Sequence, residues 1–342
     1  MKNDLFINNE WTPAASGERF EVINPATEEV LAEVAKGGVE DVDRAVAAAR
    51  ACFESDEWQK MPARDRGKIL YKAADLLHER LKQVAELETL HNGKPLFESR
   101  IDVSMTVETL RYYAGWTDKF SGDVLPVSGP FFTYTRHEPV GVVGGIVPWN
   151  FPLNLAGWKF CPALAAGCTV IIKPASETPL TALAMAEVFA DAGLPPGAFN
   201  VVPGGGSTAG AAMVRHPSID KISFTGSTEV GRQLMRDAAD TAKRLTLELG
   251  GKSPNIIFAD ADLKAAARGA INGIFYGKGE VCAAGSRLVV EKSVHDQVLE
   301  QVAERAKRLV PGDPFAKETR LGAVVSKRQQ ETVMSYVEAG KA

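Results

Sequence analysis

The stretch Val142-Val143-Gly144-Gly145-Ile146-Val147 begins an alternation of strands and helices that decides the fold of this chain. After it come helical patterns near 155–166, after 178 and from about 227. Short apolar segments between them predict further strands at 169–172, 200–202 and 221–224. Strands separated by helices of this length indicate a parallel, helix-covered sheet of the Rossmann-like kind. Ligands bind at the carboxyl ends of the strands in such sheets.

The chain before this stretch predicts short strands, then helices, then a hairpin. Short strands and turns are expected over 5–35, and apolar residues at helical spacing predict core-packed helices near 42–53, 69–84 and 103–119. Glycines and prolines break the segment 120–138, and its second half alternates like a strand. We therefore expect a hairpin that projects from the body.

Beyond residue 251 a second, smaller α/β unit is expected. Its predicted strands are 255–258 and 288–290, and its predicted helices are 262–275, 294–309 and 326–338. Two helix starts are predicted from capping residues: Thr178 before Pro179, and Ser293 with Asp296.

Composition excludes several classes of protein. The length of 342 residues indicates about two domains, and the net charge of −4 argues against nucleic acid as a partner. Neither a long apolar run nor a signal core occurs, so we expect no membrane span and a cytoplasmic location. The four cysteines are scattered, which favours reduced thiols, and the spacing typical of a metal site is lacking.

Two residues are candidates for covalent chemistry. Cys282 stands among small residues in Gly277–Arg287, and a thiolate is a strong nucleophile. The alternative is a buried, inert core thiol. Glu248 is flanked by leucines, which is typical of a paired core carboxylate or of a general base.

Three glycine-rich segments are candidates for binding phosphate. Gly204–Ala209 fits a dinucleotide-binding pattern only weakly, because Pro203 interrupts the turn, and Gly250–Ser253 lacks the first glycine of a P-loop. The segment Phe224–Gly231 lies between a strand and a helix, where free backbone N–H groups attract a pyrophosphate. A plain helix cap is the alternative.

Two further strand ends carry polar side chains. In Pro148–Pro152, the amide of Asn150 is a candidate oxyanion donor, and a turn with a packed tryptophan is the alternative. Lys173 ends another strand, where it is either a ligand of a ribose or phosphate or a solvated lysine.

Together these motifs resemble the NAD(P)-dependent aldehyde dehydrogenases over the whole chain. The motifs that carry the resemblance are Pro148–Pro152, Lys173–Ser176, Phe224–Thr228, Glu248–Lys252 and Gly279–Arg287. The resemblance implies a Cys282 nucleophile, a Glu248 general base, and an oxyanion site made by Asn150 and the Cys282 backbone N–H. It also implies an NAD or NADP cleft, with no metal, lined by Trp149, Lys173, Ser176, Gly204, Thr225, Gly226, Ser227, Gly231 and Leu249.

The resemblance further implies a division of the chain into domains and an assembly. Residues 1–119 and 139–250 are expected to bind the dinucleotide, 120–138 to form an oligomerisation hairpin, and 251–342 to form part of a catalytic domain. A small aldehyde is the expected substrate, and a homodimer or homotetramer is the expected assembly of the full-length form.

The sequence departs from the family pattern at two places. Members that prefer NAD usually have a glutamate three residues after the lysine, where this chain has Ser176, so we expect NADP to be tolerated or preferred. Family members also continue well beyond this length, so a C-terminally truncated, poorly active and association-prone chain is expected. A CoA-acylating enzyme and a non-catalytic binding protein remain as alternatives; the former class lacks the base that Glu248 supplies.

Overall fold

The computed structural model describes residues 2–342. In chain order its strands are β1 (Leu5–Ile7), β2 (Glu10–Thr12), β3 (Arg19–Ile23), β4 (Val30–Ala35), β5 (Val124–Leu125), β6 (Thr133–Tyr134), β7 (Val142–Ile146), β8 (Thr169–Lys173), β9 (Phe199–Val201), β10 (Lys221–Gly226), β11 (Arg244–Leu249), β12 (Pro254–Ile257) and β13 (Arg287–Val290). Its helices are α1 (Val39–Glu54), α2 (Asp56–Gln59), α3 (Ala63–Glu79), α4 (Leu81–Asn92), α5 (Leu96–Trp116), α6 (Pro152–Ala165), α7 (Leu180–Ala192), α8 (Ala211–Arg215), α9 (Thr228–Ala238), α10 (Leu263–Phe275), α11 (His295–Ala306) and α12 (Lys327–Lys341).

A seven-stranded sheet organises the chain in the order β11-β10-β7-β8-β9-β1-β2. Strands β7 to β11 are parallel, whereas β1 joins β9 in the antiparallel direction. Helices α6 to α9 connect the parallel strands, so the predicted helix-covered parallel sheet is confirmed. The carboxyl ends of β7, β8, β10 and β11 therefore meet at one edge.

The sheet has a hydrophobic core on each face. Val170 and Ile172 of β8 pack with helices α3 to α7, while Ile171 packs on the opposite face with α1 and α8. Strand β8 is therefore buried on both faces, which explains its unbroken apolar run.

Several predicted boundaries were wrong for identifiable reasons. Helix α7 begins at Leu180, not Pro179, and its first amide donates to His91 Nδ1 at 3.3 Å, so the predicted Thr178 cap is not formed. Helix α11 begins at His295 without a side-chain cap, because the Ser293 hydroxyl donates to Glu291 at 2.8 Å. The helix predicted over 103–119 begins earlier, at Leu96 after Pro95.

Two smaller sheets lie outside the central one. Strands β5 and β6 form the predicted hairpin, although pairing is confined to two residues of each strand. Strands β12 and β13 pair in parallel, and α10 lies between them in the sequence. Across the described residues, we find no helix with both the length and the hydrophobicity needed to cross a bilayer.

Candidate active site

The Cys282 loop begins with a strained turn after α10. Gly277, Lys278 and Gly279 have φ angles of 58°, 62° and 75°, which is the left-handed region. Three such residues in a row reverse the chain sharply, and the thiol of Cys282 follows on the surface. Cys282 is exposed, so the alternative of a buried core thiol was wrong.

The other three cysteines are buried and less reactive. Burial raises the pKa of Cys52 to about 12 and also raises the pKa of the Cys161 and Cys168 thiols. A thiolate is the reactive form, so Cys282 is the candidate nucleophile among the four thiols of residues 2–342.

Asn150 meets the Cys282 loop directly. It lies between β7 and α6, whose first residue is Pro152. Its Nδ2 donates to the Glu280 carbonyl at 2.8 Å, and its Oδ1 accepts from the Phe151 amide at 3.2 Å. The structure therefore brings together a candidate oxyanion donor and the backbone two residues before the candidate nucleophile.

Glu248 lies on the edge strand β11, and the alternative of a paired core carboxylate was wrong. Leu245, Leu247 and Leu249 alternate inward onto the core, whereas Glu248 is exposed on the other face. The end of this strand still approaches the nucleophile loop: a Cβ on Gly251 would lie 3.2 Å from the Cys282 carbonyl oxygen. The exposed carboxylate of Glu248 is free to contact water.

Lys173 and Ser176 converge on the Gly204 carbonyl. Lys173 Nζ donates to this oxygen at 3.1 Å and to the Pro174 carbonyl at 2.6 Å, and Ser176 Oγ donates to Gly204 at 3.4 Å. Burial lowers the pKa of Lys173 to about 8. The alternative of a solvated lysine was therefore wrong.

Strand β10 and helix α9 carry further candidate cofactor-binding residues. Ser227 caps α9, since its Oγ accepts from the Val230 amide at 3.2 Å. Gly231 allows α9 to approach β11, because a Cβ there would lie 2.6 Å from Leu249 Cδ2. Gly231 and Leu249 thus have a packing role in the structure.

The residues present fit a dinucleotide. The N-terminus of α9 offers first-turn amides and a positive dipole end to a pyrophosphate. A Cβ on Gly206 would meet nothing within 4 Å, so the turn at the end of β9 is open to a ligand. Lys173 and Ser176 offer donors between these two elements.

Sequence reasoning missed several buried polar residues around the site. Lys159 Nζ donates to Thr225 Oγ1 at 2.7 Å, and desolvation lowers the pKa of Lys159 to about 8. Asn92 Nδ2 donates to the Trp149 carbonyl at 2.7 Å, and Lys94 Nζ donates to the Asn150 carbonyl at 2.9 Å. A lysine within the apolar helix α6 was the one sequence signal for Lys159.

A groove lies between α5 and α6. Its volume is about 850 Å³, and its apolar lining includes Ile101, Met105, Tyr112, Tyr113 and Trp158. Trp158 lies on α6, the helix that begins two residues after Asn150. In residues 2–342 no group of three metal-ligating side chains is arranged to hold a metal.

Comparisons with known proteins identify a single family. The model of the aldehyde dehydrogenase family matches residues 11–342. The chain is 50% identical to the mitochondrial aldehyde dehydrogenase of Rattus norvegicus over 343 residues and 50% identical to retinal dehydrogenase 2 of Mus musculus over 342 residues. Each alignment covers 99% of this chain and 66% of the relative, so the chain spans about two thirds of their length.

Solved structures agree with these relatives. The NAD⁺ complex of an aldehyde dehydrogenase from Bacillus cereus superimposes with a TM-score of 0.98 at 50% identity. That alignment covers 100% of this chain and 70% of the other. Betaine aldehyde dehydrogenase from Staphylococcus aureus, in complex with NAD⁺, gives a TM-score of 0.97 at 40% identity, covering 99% and 68%.

Proposed function

The chain belongs to the aldehyde dehydrogenase family, and from this premise we propose that it oxidises an aldehyde to a carboxylic acid with NAD⁺ or NADP⁺. The observation that carries the proposal is the contact between the Asn150 amide and the backbone of the loop that presents the exposed Cys282 thiol. We assign residues 1–119 and 139–250 to cofactor binding and 251–342 to catalysis.

The proposed chemistry begins at sulfur. The Cys282 thiolate adds to the aldehyde carbon, and the resulting oxyanion is stabilised by the Asn150 amide and the Cys282 backbone N–H, an effect of about 3 kcal/mol per donor. When bound in the cleft, the nicotinamide supplies the acceptor for the hydride that this carbon loses. A thioester then remains on Sγ.

Glu248 completes the proposed cycle. Its exposed carboxylate accepts a proton from water, the hydroxide adds to the thioester, and the C–S bond breaks. The products are a carboxylic acid and the free thiolate. A relative that releases the acyl group to CoA would not need this base, so Glu248 favours hydrolysis over CoA acylation.

The cofactor cleft is proposed to be formed by two groups of residues. Trp149, Lys173, Ser176 and Gly204 lie on its β7–β9 side, and the opposite side consists of Thr225, Gly226, Ser227, Gly231 and Leu249. The solved Bacillus cereus relative is an NAD⁺ complex. The choice between NAD and NADP is proposed to depend on Ser176.

The apolar groove between α5 and α6 is proposed to hold the hydrocarbon part of the aldehyde. Arg100 and Glu108 also line the groove, but aromatic and aliphatic side chains predominate, which favours an apolar substrate. Identity does not narrow the substrate further, because a mitochondrial aldehyde dehydrogenase and a retinal dehydrogenase are equally similar to this chain.

We also propose a homo-oligomer in the cytosol. The hairpin at 120–138 exposes aromatic side chains that association would bury, with Phe131 and Phe132 exposed by 72% and 77%. A reducing compartment keeps the Cys282 thiol in its reactive form.

Replacing Cys282 tests the proposed activity. Cys282→Ala is expected to abolish NAD(P)H formation from an aldehyde, measured by absorbance in steady-state and single-turnover experiments, because no thioester forms. Cofactor binding, measured by fluorescence titration, is expected to persist. The control Cys52→Ala removes a buried thiol at the end of α1 and is expected to retain activity.

The outcomes separate an enzyme from a binding protein. Cofactor binding by the parent chain with no single-turnover hydride transfer would favour the non-catalytic alternative. Equal activity of parent and Cys282→Ala would remove the nucleophile from the proposal.

A further inference from the structure

We propose that Lys278 is a positioning residue that holds the Asn150 amide and the Cys282 loop in register through a closed ring of polar contacts. The inference rests on the proposed function, since it explains how the oxyanion donor and the nucleophile keep their relative places. Lys278 itself is not placed in contact with the reacting atoms.

The ring can be followed from atom to atom. Lys278 Nζ donates to Asn92 Oδ1 at 3.1 Å, and Asn92 Nδ2 donates to the Trp149 carbonyl at 2.7 Å. The next residue, Asn150, donates from Nδ2 to the Glu280 carbonyl at 2.8 Å. The Glu280 carboxylate closes the ring as an ion pair 3.0 Å from Lys278 Nζ.

The ring joins three segments that are distant in sequence. Asn92 ends α4, Trp149 and Asn150 lie between β7 and α6, and Lys278 and Glu280 precede the nucleophile. Three of the four contacts are hydrogen bonds, which depend on direction, and the fourth is the Lys278–Glu280 ion pair. Moving one segment therefore disturbs contacts made by another.

The backbone of Lys278 is unusual for a residue with a side chain. A left-handed φ disfavours a Cβ, and its two neighbours in the turn are glycines. A lysine here is therefore unfavourable for the backbone alone. The contacts of its ammonium group give a reason for its presence, since Nζ also donates to the Asn92 carbonyl at 2.6 Å.

The ring is shielded from solvent. The side chains of Lys278 and Glu280 are 3% and 5% exposed. Buried charges need partners, and inside a protein their contacts are strong and geometrically restrictive. Burial lowers the pKa of Lys278 to about 8, with Glu280 opposing the shift, so the pair is electrostatically coupled.

Further contacts anchor the ring to α5 and to the chain beyond α11. Lys94 Nζ donates to the Asn150 carbonyl at 2.9 Å and to Asp102 Oδ2 at 2.6 Å. Glu98 Oε1 accepts from the Gly277 amide at 3.3 Å, and Glu280 Oε1 accepts from the Val325 amide at 3.2 Å. Both segments of the candidate site are thus fixed to the same support.

Hydrogen–deuterium exchange of the unliganded chain tests the inference. The Phe151 amide is the reporter, because it donates to Asn150 Oδ1 and so senses the Asn150 side chain. In Lys278→Met we expect this amide to exchange about tenfold faster, the factor that corresponds to about 1.4 kcal/mol of lost coupling. The Val325 amide is expected to exchange faster as well.

Two variants separate positioning from general stability. Lys278→Arg retains a cation and donors, and is expected to restore protection of the Phe151 amide to within about threefold of the parent. Lys264→Met removes an exposed lysine from α10 and is expected to change neither reporter.

The inference fails if Lys278→Met folds and the Phe151 amide exchanges at the parent rate, or if only residues 277–285 change. If Lys278→Met does not fold, Asn92→Ala breaks the ring at another contact. The exchange rate of the Phe151 amide in that variant then tests the inference by the same criterion. The exchange experiment uses neither aldehyde nor cofactor. Its result can therefore be interpreted even if the parent chain shows no turnover, which would contradict only the proposed function.

Discussion

Ser176 has a hydroxyl group in the segment that is proposed to bind the cofactor. Its Oγ lies 3.4 Å from the Gly204 carbonyl, beside the buried ammonium of Lys173. A carboxylate at this position would repel a 2′-phosphate, whereas a hydroxyl does not. We therefore propose that Ser176 makes the use of NADP possible.

We expect the parent chain to use NADP⁺ at least as well as NAD⁺. Ser176→Glu is expected to lower kcat/KM for NADP⁺ by about tenfold or more, because the new carboxylate would repel the 2′-phosphate. The measurement is kcat/KM with each cofactor, supported by binding titrations. Ser176→Ala is the uncharged control and should leave the ratio of the two kcat/KM values nearly unchanged. A strong preference of the parent for NAD⁺ would contradict this expectation.

At the residue scale, the sequence identifies candidate catalytic residues better than it predicts whether their side chains are buried. Cys282 and Asn150 were identified from their segments, and the structure joins those segments. The leucines that flank Glu248 left a core carboxylate as one alternative, yet alternation on an edge strand exposes this side chain. Lys278 was missed as a positioning residue, since its partners come from α4 and from its own loop.

At the scale of elements, the turn after β9 depends on one close approach. A Cβ on Gly204 would lie 2.4 Å from the backbone oxygen of Gly37, which is not free to move aside. A Cβ on Gly206, two residues later, would meet no atom within 4 Å. The same glycine run thus contains a position closed by backbone at Gly204 and an open position at Gly206.

Gly204→Ala is expected to lower the free energy of unfolding by about 2 kcal/mol through this clash, and Gly206→Ala to change it by less than about 0.5 kcal/mol. Urea unfolding followed by circular dichroism measures both. Equal stability of the two variants would show that the β9 turn relaxes without strain.

Element existence was more predictable than element ends. Each predicted strand of the sheet is present, and in β7 and β8 the run of mostly apolar residues reflects burial on both faces. The caps at Thr178 and Ser293 were wrong, because His91 and Glu291 contact those helix starts and neither contact is visible in the local pattern.

At the scale of the whole molecule, buried acids link stability to pH. Burial raises the pKa of Glu98 to about 7 and that of Asp102 to about 6, with Lys94 opposing both shifts. A carboxyl group whose pKa is raised on folding stabilises the fold while it is protonated. That contribution is fully present below pH 4.5 and is lost as the pH rises through about 7.

Glu98→Gln is therefore expected to be more stable than the parent at pH 8, by about 2 kcal/mol, and to differ little at pH 5. Urea midpoints at the two pH values provide the measurement. Glu108→Gln, on the exposed face of the same helix, is the control and should have a small effect at both. The same difference at pH 5 and pH 8 would exclude a titrating Glu98.

The proposed association of the chain also belongs to the scale of the whole molecule. Phe131→Ser combined with Phe132→Ser is expected to shift sedimentation toward the monomer while leaving the melting temperature unchanged, since both side chains are largely exposed. Tyr336→Ser, on the exposed face of α12, is the control. Unchanged sedimentation of the hairpin variant would assign association to another surface.

The exposure of the four thiols also limits how many disulfide crosslinks each folded chain can form. Within residues 2–342, Cys282 is the one exposed cysteine, and the other three are buried. A chain with one accessible thiol forms at most one intermolecular disulfide. Air oxidation of the folded protein therefore ends at a linked pair, and longer covalent polymers require unfolding first.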